Sequence, residues 1–505
     1  MPVPSDHRTK IVATIGPASR DLDVLTRMVE AGMDVARLNF SHGTHEQHAE
    51  TAQLVRHAAE RAGRPVAILQ DLPGPKIRIG PLVDDKALLS NGDKVTFVCD
   101  GHGIERGDAT RMTVSWAGLA AAVEPGELVY LADGSVRLRV RAVRAQDGEF
   151  DCEVELGGVV ASRQGLNIPG PADELPAVPE EDLVHLRAGI EMDVDLVALS
   201  FVRRPEDVLQ VREHTRIPLI AKIEKPQAVA RAEDVVRVSD GVMVARGDLG
   251  IELPIQEVPL VQKRLIRLAG EHARISITAT QMLDSMIRSA RPTRAEVTDV
   301  ANAILDGTDA VMLSQETAVG AFPVEAVAMM CSIATTTERE APYSTWNEHR
   351  VRRTGRDPAY TIAHSVVEAA RELELDAIIV PTLSGRSARL VSAHRPTVPI
   401  YALSPGRETV RRCGLMWGVQ AAWQRRHEIT EELISDACRR VVELGWCHPG
   451  QRVGITAGMP IGHPGTTSLF QVQRLARPGA TPEPEHDSDP ELARDTGTAG
   501  ADTAD

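Results

Sequence analysis

Short apolar runs alternate with amphipathic segments along most of the chain. The first runs, at residues 10–17, 35–41 and 65–72, are predicted as buried strands, and the segments between them have helical spacing. After an interruption the alternation resumes near residue 175. Further strands are predicted at 195–202, 218–224, 241–248, 275–282 and 309–317. A series of β/α units with polar residues at the strand ends predicts an α/β fold, a (β/α)8 TIM barrel whose chemistry lies at the carboxyl ends of the strands.

The interruption has a different pattern. Between residues 81 and 175 the runs are short and alternate between apolar and polar positions, and Gly-Asp, Asp-Gly and Pro-Gly pairs separate them. We interpret this stretch as a small β-barrel domain inserted after the third strand, where it forms a lid over the catalytic end. The barrel then comprises residues 1–80 and 176–345.

The carboxyl-terminal part of the chain is predicted to form a separate α/β domain. A polar stretch near Trp346 marks its start, and it extends over residues 346–475. Its strands are predicted at 376–382, 398–404, 418–423 and 451–458. Residues 476–505 are rich in Pro, Gly, Thr, Asp and Glu, and this composition predicts a disordered acidic tail.

Composition and charge narrow the function classes. The 505 residues are 43% hydrophobic and 25% charged, as in ordinary globular proteins, and the net charge of −15 argues against nucleic acid as a main partner. The six cysteines show no C-x-x-C spacing, which is typical of reduced thiols. The amino terminus lacks an apolar signal core and no run of 18 apolar residues occurs, so we expect a cytoplasmic protein without a membrane partner.

Two of the predicted barrel strands end in charged residues. Lys222 and Glu224 are two residues apart and point to one face of their strand. The next strand ends in Arg246-Gly247-Asp248, where glycine lets a ligand approach the backbone and Asp248 offers a hard oxygen ligand. The pattern predicts two carboxylates that share one Mg²⁺, with the lysine facing whatever the ion holds. A structural ion pair beside a loop acid is the alternative.

Six motifs, in order between about residues 8 and 475, resemble the pyruvate kinase family. They are VARLNFSHG (35–43), GPKIRIG (74–80), IAKIEKP (220–226), MVARGDLGIE (243–252), ATQMLDSM (279–286) and SQET (314–317). The resemblance implies the same three-domain architecture. It also implies a phosphotransferase that moves the phosphoryl group of phosphoenolpyruvate to ADP, giving ATP and pyruvate in the last step of glycolysis.

The resemblance assigns roles to the residues at the strand ends. Glu224 and Asp248 would hold Mg²⁺, for which Mn²⁺ is an alternative. Lys222 would stabilise the transferring phosphoryl group, Arg37 would bind the same phosphate, and Thr280 would lie near the carbon that is protonated. The residues implied to bind the substrate are Arg37, Thr280 and, through backbone N–H groups, Gly247 and Asp248.

The nucleotide site also follows from the resemblance. The implied residues are Asn39, Ser41, His42, Arg78 and Arg204. For His42, the alternative is a histidine at a helix amino terminus without a ligand. The segment SRQGLNIPG (162–170) resembles the family's lid loop, but Gln164 stands where many members have a lysine before the glycine.

The loop TLSGRSA (382–388) lies between a predicted strand and a predicted helix of the carboxyl-terminal domain. Hydroxyls, a glycine and an arginine at a helix amino terminus favour phosphate. The resemblance implies an allosteric site for a phosphorylated effector at this loop, in a homotetramer. The implied effector residues are Thr382, Ser384, Gly385, Arg386 and Ser387. A capping loop without a ligand is the alternative.

Many members of the family require K⁺. Its ligands match Asn39, Ser41, Asp71 and the backbone of Leu72. K⁺-dependent members have a glutamate at the position of Lys76 and a threonine at that of Leu72. The positive charge of Lys76 would stand in for the ion, so we expect activity largely independent of K⁺. The alternative is that Lys76 points to solvent and leaves the pocket intact.

Two other functions fit part of the pattern. A Mg²⁺-dependent aldolase or lyase acting on pyruvate would use paired carboxylates in a similar barrel, but it would need neither the lid nor a lysine directed at a phosphoryl group. A catalytically silent relative would sense metabolites through the carboxyl-terminal loop. Such a relative would be expected to lack at least one of Lys222, Glu224, Asp248 and Thr280.

Overall fold

The first β/α units form where the alternating pattern predicts them. The computed structural model describes residues 7–99, 105–169, 176–343, 357–458 and 467–476. The opening elements are β1 (Lys10–Thr14), α1 (Leu22–Glu30), β2 (Val35–Asn39), α2 (His45–Ala62) and β3 (Ala67–Leu72). Asp21 caps α1, and Thr44 with Gln47 forms a capping box on α2, which ends at Gly63 with a φ of 65°.

The inserted unit consists of short strands and one helical turn. Its elements are β4 (Lys86–Leu89), β5 (Lys94–Cys99), β6 (Arg111–Val114), α3 (Leu119–Ala122), β7 (Leu128–Leu131), β8 (Val136–Arg144), β9 (Glu149–Leu156), β10 (Gly158–Ala161) and β11 (Leu166–Asn167). Six strands form a sheet in the order β11-β7-β8-β9-β5-β6, and β10 pairs with β4. Its core includes the stacked rings of Phe97 and Phe150, whose centroids are 5.1 Å apart.

The alternation of strands and helices resumes after the insertion. The elements are α4 (Glu180–Glu191), β12 (Leu196–Val202), α5 (Pro205–Arg212), β13 (Leu219–Ile223), α6 (Pro226–Ala230), α7 (Ala232–Val238), β14 (Gly241–Ala245), α8 (Arg246–Glu252), α9 (Val258–Glu271), β15 (Ile275–Ala279), α10 (Arg294–Leu305), β16 (Ala310–Leu313), α11 (Gln315–Ala318) and α12 (Pro323–Arg339). The strands are shorter than the predicted runs because residues 246–248 and 315–317 turn into the short helices α8 and α11.

Eight parallel strands close into a barrel. Their order is β1-β16-β15-β14-β13-β12-β3-β2, so the predicted TIM barrel is confirmed. One row of strand residues, such as Ile11 and Ala36, packs against the surrounding helices. The alternate row, such as Val12, Val35 and Leu69, is buried in a second cluster inside the barrel. This period of two determines which side chains reach the carboxyl-terminal mouth.

The carboxyl-terminal domain is a five-stranded sheet with helices. Its elements are α13 (Pro358–Glu372), β17 (Ala377–Pro381), α14 (Arg386–Ala393), β18 (Ile400–Ser404), α15 (Arg407–Arg412), β19 (Val419–Trp423), α16 (Thr430–Glu443), β20 (Arg452–Gly458) and β21 (Thr467–Arg474). The order is β19-β18-β17-β20-β21, and β21 is antiparallel. The sequence pattern did not predict β21, because its apolar positions are few and only partly buried.

Buried polar contacts join this domain to the amino-terminal end of the barrel. Arg395 is completely buried, donates to the carbonyl oxygen of Gly307 and lies 2.8 Å from Asp309. The predicted boundary stretch from Trp346 to Arg356 and residues 477–505 of the predicted tail lie outside the described residues. In the part of the chain that the structure covers, none of the helices has the length and apolar character needed to cross a membrane.

Candidate active site

The inward-facing row of strand residues ends in polar side chains at the barrel mouth. Each lies two residues beyond a buried apolar residue of the same strand, as Lys222 does after Ile220. The polar residues are Thr14 on β1, Arg37 on β2, Asp71 on β3, Ser200 on β12 and Lys222 on β13. All five are buried. Closure of the barrel therefore brings together groups from five separate strands.

Lys222 is the centre of this cluster. Its Nζ donates to Ser200 Oγ at 2.7 Å and lies 3.0 Å from Glu224 Oε1 and 3.3 Å from Asp71 Oδ1. Burial alone would lower the pKa of Lys222, but the carboxylates of Asp71 and Glu224 outweigh it and hold the pKa above its ordinary value. The lysine is therefore a fixed positive charge at the mouth of the barrel.

Asp71 links Lys222 to Arg37. The Nε of Arg37 donates to Asp71 Oδ2 at 2.6 Å, and its other arm donates to Thr14 Oγ1 at 2.9 Å. Burial would raise the pKa of Asp71, but the charges of Lys222 and Arg37 outweigh it and hold the pKa below the ordinary range. Two cations thus face the same end of the barrel, held by one shared carboxylate.

Glu224 and Asp248 have the properties of metal ligands. Glu224 is completely buried, and its Oε2 accepts the N–H of Phe201 at 2.7 Å. Nζ of Lys222 lies 3.0 Å from Glu224 Oε1, but no donor among the described residues is oriented to form a hydrogen bond with this oxygen. Burial, followed by the nearby charge of Asp248, raises the pKa of Glu224. A cation between the two carboxylates would relieve this repulsion.

The donor set of Glu224 and Asp248 is compatible with Mg²⁺. Among the described residues there is no group of three or more His, Cys, Asp or Glu side chains able to hold a metal. Mg²⁺ is usually held by one or two carboxylates together with waters and substrate phosphates, and not by a complete protein cage. The two carboxylates Glu224 and Asp248 fit that requirement.

Gly247 and Thr280 are joined by a hydrogen bond. The N–H of Gly247, in the first turn of α8, donates to Thr280 Oγ1 at 2.8 Å. The Thr280 hydroxyl in turn donates to the carbonyl oxygen of Ala279 at 2.7 Å. Thr280 has a φ of 69° and Gln281 a φ of 52°, which are uncommon for residues with side chains, above all for a β-branched one. The Gly247 N–H, predicted as a donor to the substrate carboxylate, thus donates to Thr280 in this structure.

A cavity of about 960 Å³ opens between the lid and the barrel. Lys76, Asp248 and Thr280 line it together with Tyr130 and Gln315. Its walls come from both the lid and the barrel, so a ligand inside it would contact both.

The predicted nucleotide residues lie mostly around the end of β2. Asn39 Oδ1 accepts the N–H of Ser41 at 3.2 Å. Partial burial, followed by the charges of Arg78, Lys76 and Arg37, lowers the pKa of His42. These cations make the region suitable for phosphate groups.

Arg204 lies apart from that cluster. It is exposed at the amino terminus of α5 and pairs with Asp207 at 3.3 Å. Its ion pair with Asp207 therefore does not connect it with the other predicted nucleotide residues.

The lid loop packs against Lys76. A Cβ atom on Gly165 would lie 2.5 Å from Cε of Lys76, so a larger residue there would displace the flexible end of the lysine. Arg78 donates to the carbonyl oxygen of Arg163 at 3.2 Å. Gly165 and Arg163 therefore place the lid loop against the segment that carries Lys76 and Arg78.

Three of the four predicted K⁺ ligands, Asp71, Leu72 and Asn39, accept donors from the chain. Asp71 contacts Arg37 and Lys222, and the carbonyl oxygen of Leu72 accepts the hydroxyl of Ser200 at 2.7 Å. Leu72 itself is buried. The side-chain oxygen of Asn39 accepts the N–H of Ser41.

The predicted effector loop lies at the amino terminus of α14. Gly385 has a φ of 79°, and its N–H donates to Thr382 Oγ1 at 3.0 Å. Ser387 Oγ lies 2.6 Å from the hydroxyl of Thr467, and Arg386 pairs with Asp357. Ser384 is in the same loop. The effector residues are therefore far along the chain from the barrel mouth and form a separate candidate site.

Several residues of the site were not singled out by sequence reasoning. Ser200 and Thr14 contact Lys222 and Arg37 directly, and Phe201 donates its N–H to Glu224. Ser200 and Thr14 occupy polar strand ends equivalent to that of Asp71, a signal present in the sequence.

The sequence comparisons agree with this geometry. Residues 6–327 match the family described as "Pyruvate kinase, barrel domain", and residues 360–473 match "Pyruvate kinase, alpha/beta domain". The chain belongs to the pyruvate kinase family. It is 43% identical over 476 residues to a pyruvate kinase of Geobacillus stearothermophilus, covering 93% of this chain and 81% of that protein. It is 40% identical over 473 residues to one of Clostridium acetobutylicum, covering 92% of this chain and 99% of that protein.

A solved structure gives the same result. A pyruvate kinase from Cryptosporidium parvum superposes with a TM-score of 0.85 at 34% identity, covering 93% of this chain and 96% of that chain. The predictions of a pyruvate kinase, of its phosphotransferase class and of its fold are therefore confirmed. Members of the pyruvate kinase family use divalent metal ions.

Proposed function

We propose that the mouth of the barrel transfers the phosphoryl group of phosphoenolpyruvate to ADP, giving ATP and pyruvate. The observation that carries this proposal is the placement of Lys222 between Asp71 and Glu224, beside Arg37. Phosphoryl transfer depends mostly on positioning and on neutralising charge, and this cluster supplies fixed charges of both signs.

Glu224 and Asp248 would hold Mg²⁺, with Mn²⁺ as an alternative ion. When bound, the ion would neutralise charge on the phosphoryl and substrate oxygens. Glu224 lies 3.0 Å from Lys222, and the charge of Asp248 also acts on the lysine, so the ammonium and the ion would face the same phosphoryl group.

Lys222 and Arg37 would act on the phosphoryl group itself. The ammonium of Lys222 stabilises the charge that develops during transfer, and the planar guanidinium of Arg37 orients the phosphate. Asp71 contacts both residues and holds them in place. The chain thus supplies the positive charge from rigid strands.

The substrate carboxylate would bind the backbone N–H groups of Gly247 and Asp248 at the start of α8. The positive end of the helix favours an anion there. In binding, the carboxylate would replace Thr280 as the acceptor of the Gly247 N–H. The freed hydroxyl of Thr280 would then lie near the carbon that is protonated.

ADP would bind near the end of β2, beside the start of the inserted lid. The residues proposed for it are Asn39, Ser41, His42, Arg78 and Arg204. The cations that lower the pKa of His42 support phosphate binding in this region.

Activity should be largely independent of K⁺. The proposed reason is that Lys76 brings a positive charge near His42, next to the predicted K⁺ ligands. The ligand oxygens of Asp71 and Leu72 already accept donors from the chain, which supports the same proposal.

We further propose the assembly and regulation that the family resemblance implies. These are a cytoplasmic homotetramer, domain boundaries at 80/81, 175/176 and 345/346, and a phosphorylated effector at the 382–387 loop. The left-handed Gly385 at the start of α14 supports an anion site. Replacing Ser384, Arg386 and Ser387 together should abolish activation by phosphorylated sugars or nucleotides without changing the unactivated rate.

The test of the reaction is a coupled assay for pyruvate formation from phosphoenolpyruvate. The expected result is activity that requires both ADP and Mg²⁺. Pyruvate formation without ADP would contradict the proposal and favour a lyase-type reaction. Absence of activity with every phosphorylated activator tested would favour a silent relative.

A further inference from the structure

The chain leaves β15 in a strained conformation. Thr280 and Gln281 both have positive φ, although neither is glycine. Such residues persist only where their surroundings hold them, and they concentrate at functional sites. Something outside the strand must therefore fix this turn.

Arg246 provides the contacts that hold the turn. Its Nε donates to the carbonyl oxygen of Ala279 at 3.1 Å, and one arm donates to that of Thr280 at 2.7 Å. The other arm donates to Asp299 Oδ1 on α10 at 2.7 Å. The side chain of Arg246 is only 13% exposed. One planar guanidinium thus bridges two consecutive carbonyl groups and a carboxylate.

The position of Arg246 in the chain gives these contacts a consequence. Arg246 is the first residue of α8, immediately before Gly247, whose N–H donates to Thr280. Its backbone therefore places the amide donor while its side chain places the hydroxyl acceptor. Both halves of the Gly247–Thr280 hydrogen bond depend on one residue.

We propose that Arg246, anchored by Asp299, is a positioning residue for the Thr280 hydroxyl. It fixes the backbone of Thr280, so that only the side chain moves when the substrate carboxylate takes over the Gly247 N–H. This inference rests on the proposed function. The function assigned to Arg246 is to hold the hydroxyl near the carbon that is protonated, while Lys222 and the two carboxylates act on the phosphoryl group.

The Arg246→Gln variant is examined with two assays, one for overall turnover and one for proton transfer alone. Turnover is measured with the coupled assay, and exchange of the pyruvate methyl protons with deuterium is followed by NMR. We expect kcat and the exchange rate to fall together by about 30-fold or more, with KM for phosphoenolpyruvate changed by less than about threefold. Binding of Mg²⁺ alone, measured by titration calorimetry, should be unchanged. The matched control is Arg267→Gln, an exposed arginine on α9, which should behave as wild type.

A double-mutant cycle with Thr280→Val distinguishes positioning from general support of the fold. If Arg246 acts through Thr280, then Arg246→Gln should lower kcat by less than about threefold in the Thr280→Val background. The proposal would be overturned if the two substitutions lowered kcat additively in the double variant. It would also be overturned if Arg246→Gln retained more than about a third of wild-type kcat. If Arg246→Gln does not fold, Asp299→Asn is judged by the same two criteria, with an expected loss of about tenfold. Failure of the wild-type protein to form pyruvate would instead overturn the proposed function.

Discussion

Replacing Lys222 with methionine removes one charge and changes the side-chain volume little. The ammonium that is lost contacts Asp71, Glu224 and Ser200, all of them buried. Asp71 keeps Arg37 as a partner, whereas among the described residues Glu224 keeps the N–H of Phe201 alone. The change therefore affects Glu224 more than Asp71.

The magnitudes follow from these contacts. Removing one partner of a buried ion pair typically lowers the free energy of unfolding by about 3–5 kcal/mol. Arg37 still compensates Asp71, so we expect a value at the lower end, about 3 kcal/mol. Loss of one fixed charge aimed at a transition state lowers turnover by about 100- to 1,000-fold, and Lys222 also contacts the proposed metal ligand. We therefore expect Lys222→Met to lose at least about 1,000-fold in kcat.

The same change should alter the pH dependence of Mg²⁺ binding. Burial raises the pKa of Glu224, while Lys222 lowers it. Without the lysine, the pKa of Glu224 rises further, and its protonated form cannot ligate a cation. The affinity for Mg²⁺ should therefore be lost at a higher pH in Lys222→Met than in the wild-type protein.

The assays are coupled turnover, Mg²⁺ titration calorimetry over a range of pH, and denaturant unfolding. Lys263→Met is the matched control, because Lys263 is a half-exposed lysine on α9. It should change kcat by less than about twofold. A Lys222→Met protein that is folded and retains more than about a tenth of wild-type kcat would refute the catalytic role.

Three further predictions concern other parts of the chain. Asp182 accepts the N–H of Gly74 at the entry to the lid, and burial raises its pKa from 3.8 to about 6. The protonated carboxyl group is favoured in the folded protein, so its contribution to stability is present below the ordinary pKa and is lost as pH rises through about 6. Above that pH, Asp182→Asn should raise the free energy of unfolding relative to wild type by up to about 3 kcal/mol, as measured by urea unfolding. Lys76→Glu should create a dependence on K⁺, with turnover rising about tenfold when K⁺ replaces a bulky organic cation, whereas an equal rise in the wild type would contradict the proposal. Arg395→Met removes the cation that lies 2.8 Å from buried Asp309, whose other oxygen still accepts from Ser276. It should lower the free energy of unfolding by about 3 kcal/mol, and a loss below about 1 kcal/mol would show that the pair is dispensable.

Much of the architecture follows from local patterns in the sequence. Strands of the parallel barrel are buried on both faces, so their sequences are continuous apolar runs. Strands of the inserted lid are buried on one face, so their sequences alternate between apolar and polar residues. The sequence also locates the strand ends at Lys222, Glu224 and Asp71, because charged residues interrupt an apolar run only where the strand leaves the core. The family motifs then supplied the reaction.

Local patterns did not predict the short helices at residues 246–252 and 315–318 or the strand β21. The two helices have only seven and four residues, too few for a helical period to show in the sequence, so periodicity cannot separate them from the strand ends. The alternation in β21 is too weak to distinguish an edge strand from a loop, and its pairing with β20 decides the outcome.

Tertiary structure alone decided which partner each charged group takes. The sequence alone suggests a pair between Lys222 and its neighbour Glu224. Closure of the barrel also brings Lys222 next to Asp71, which is far away in the chain. In the same way, Arg246 meets the turn at Thr280 only because β14 and β15 are adjacent. Sequence spacing specifies which residues share a face of one strand, whereas contacts between strands depend on the closed barrel, and the electrostatics of the site arise from those contacts.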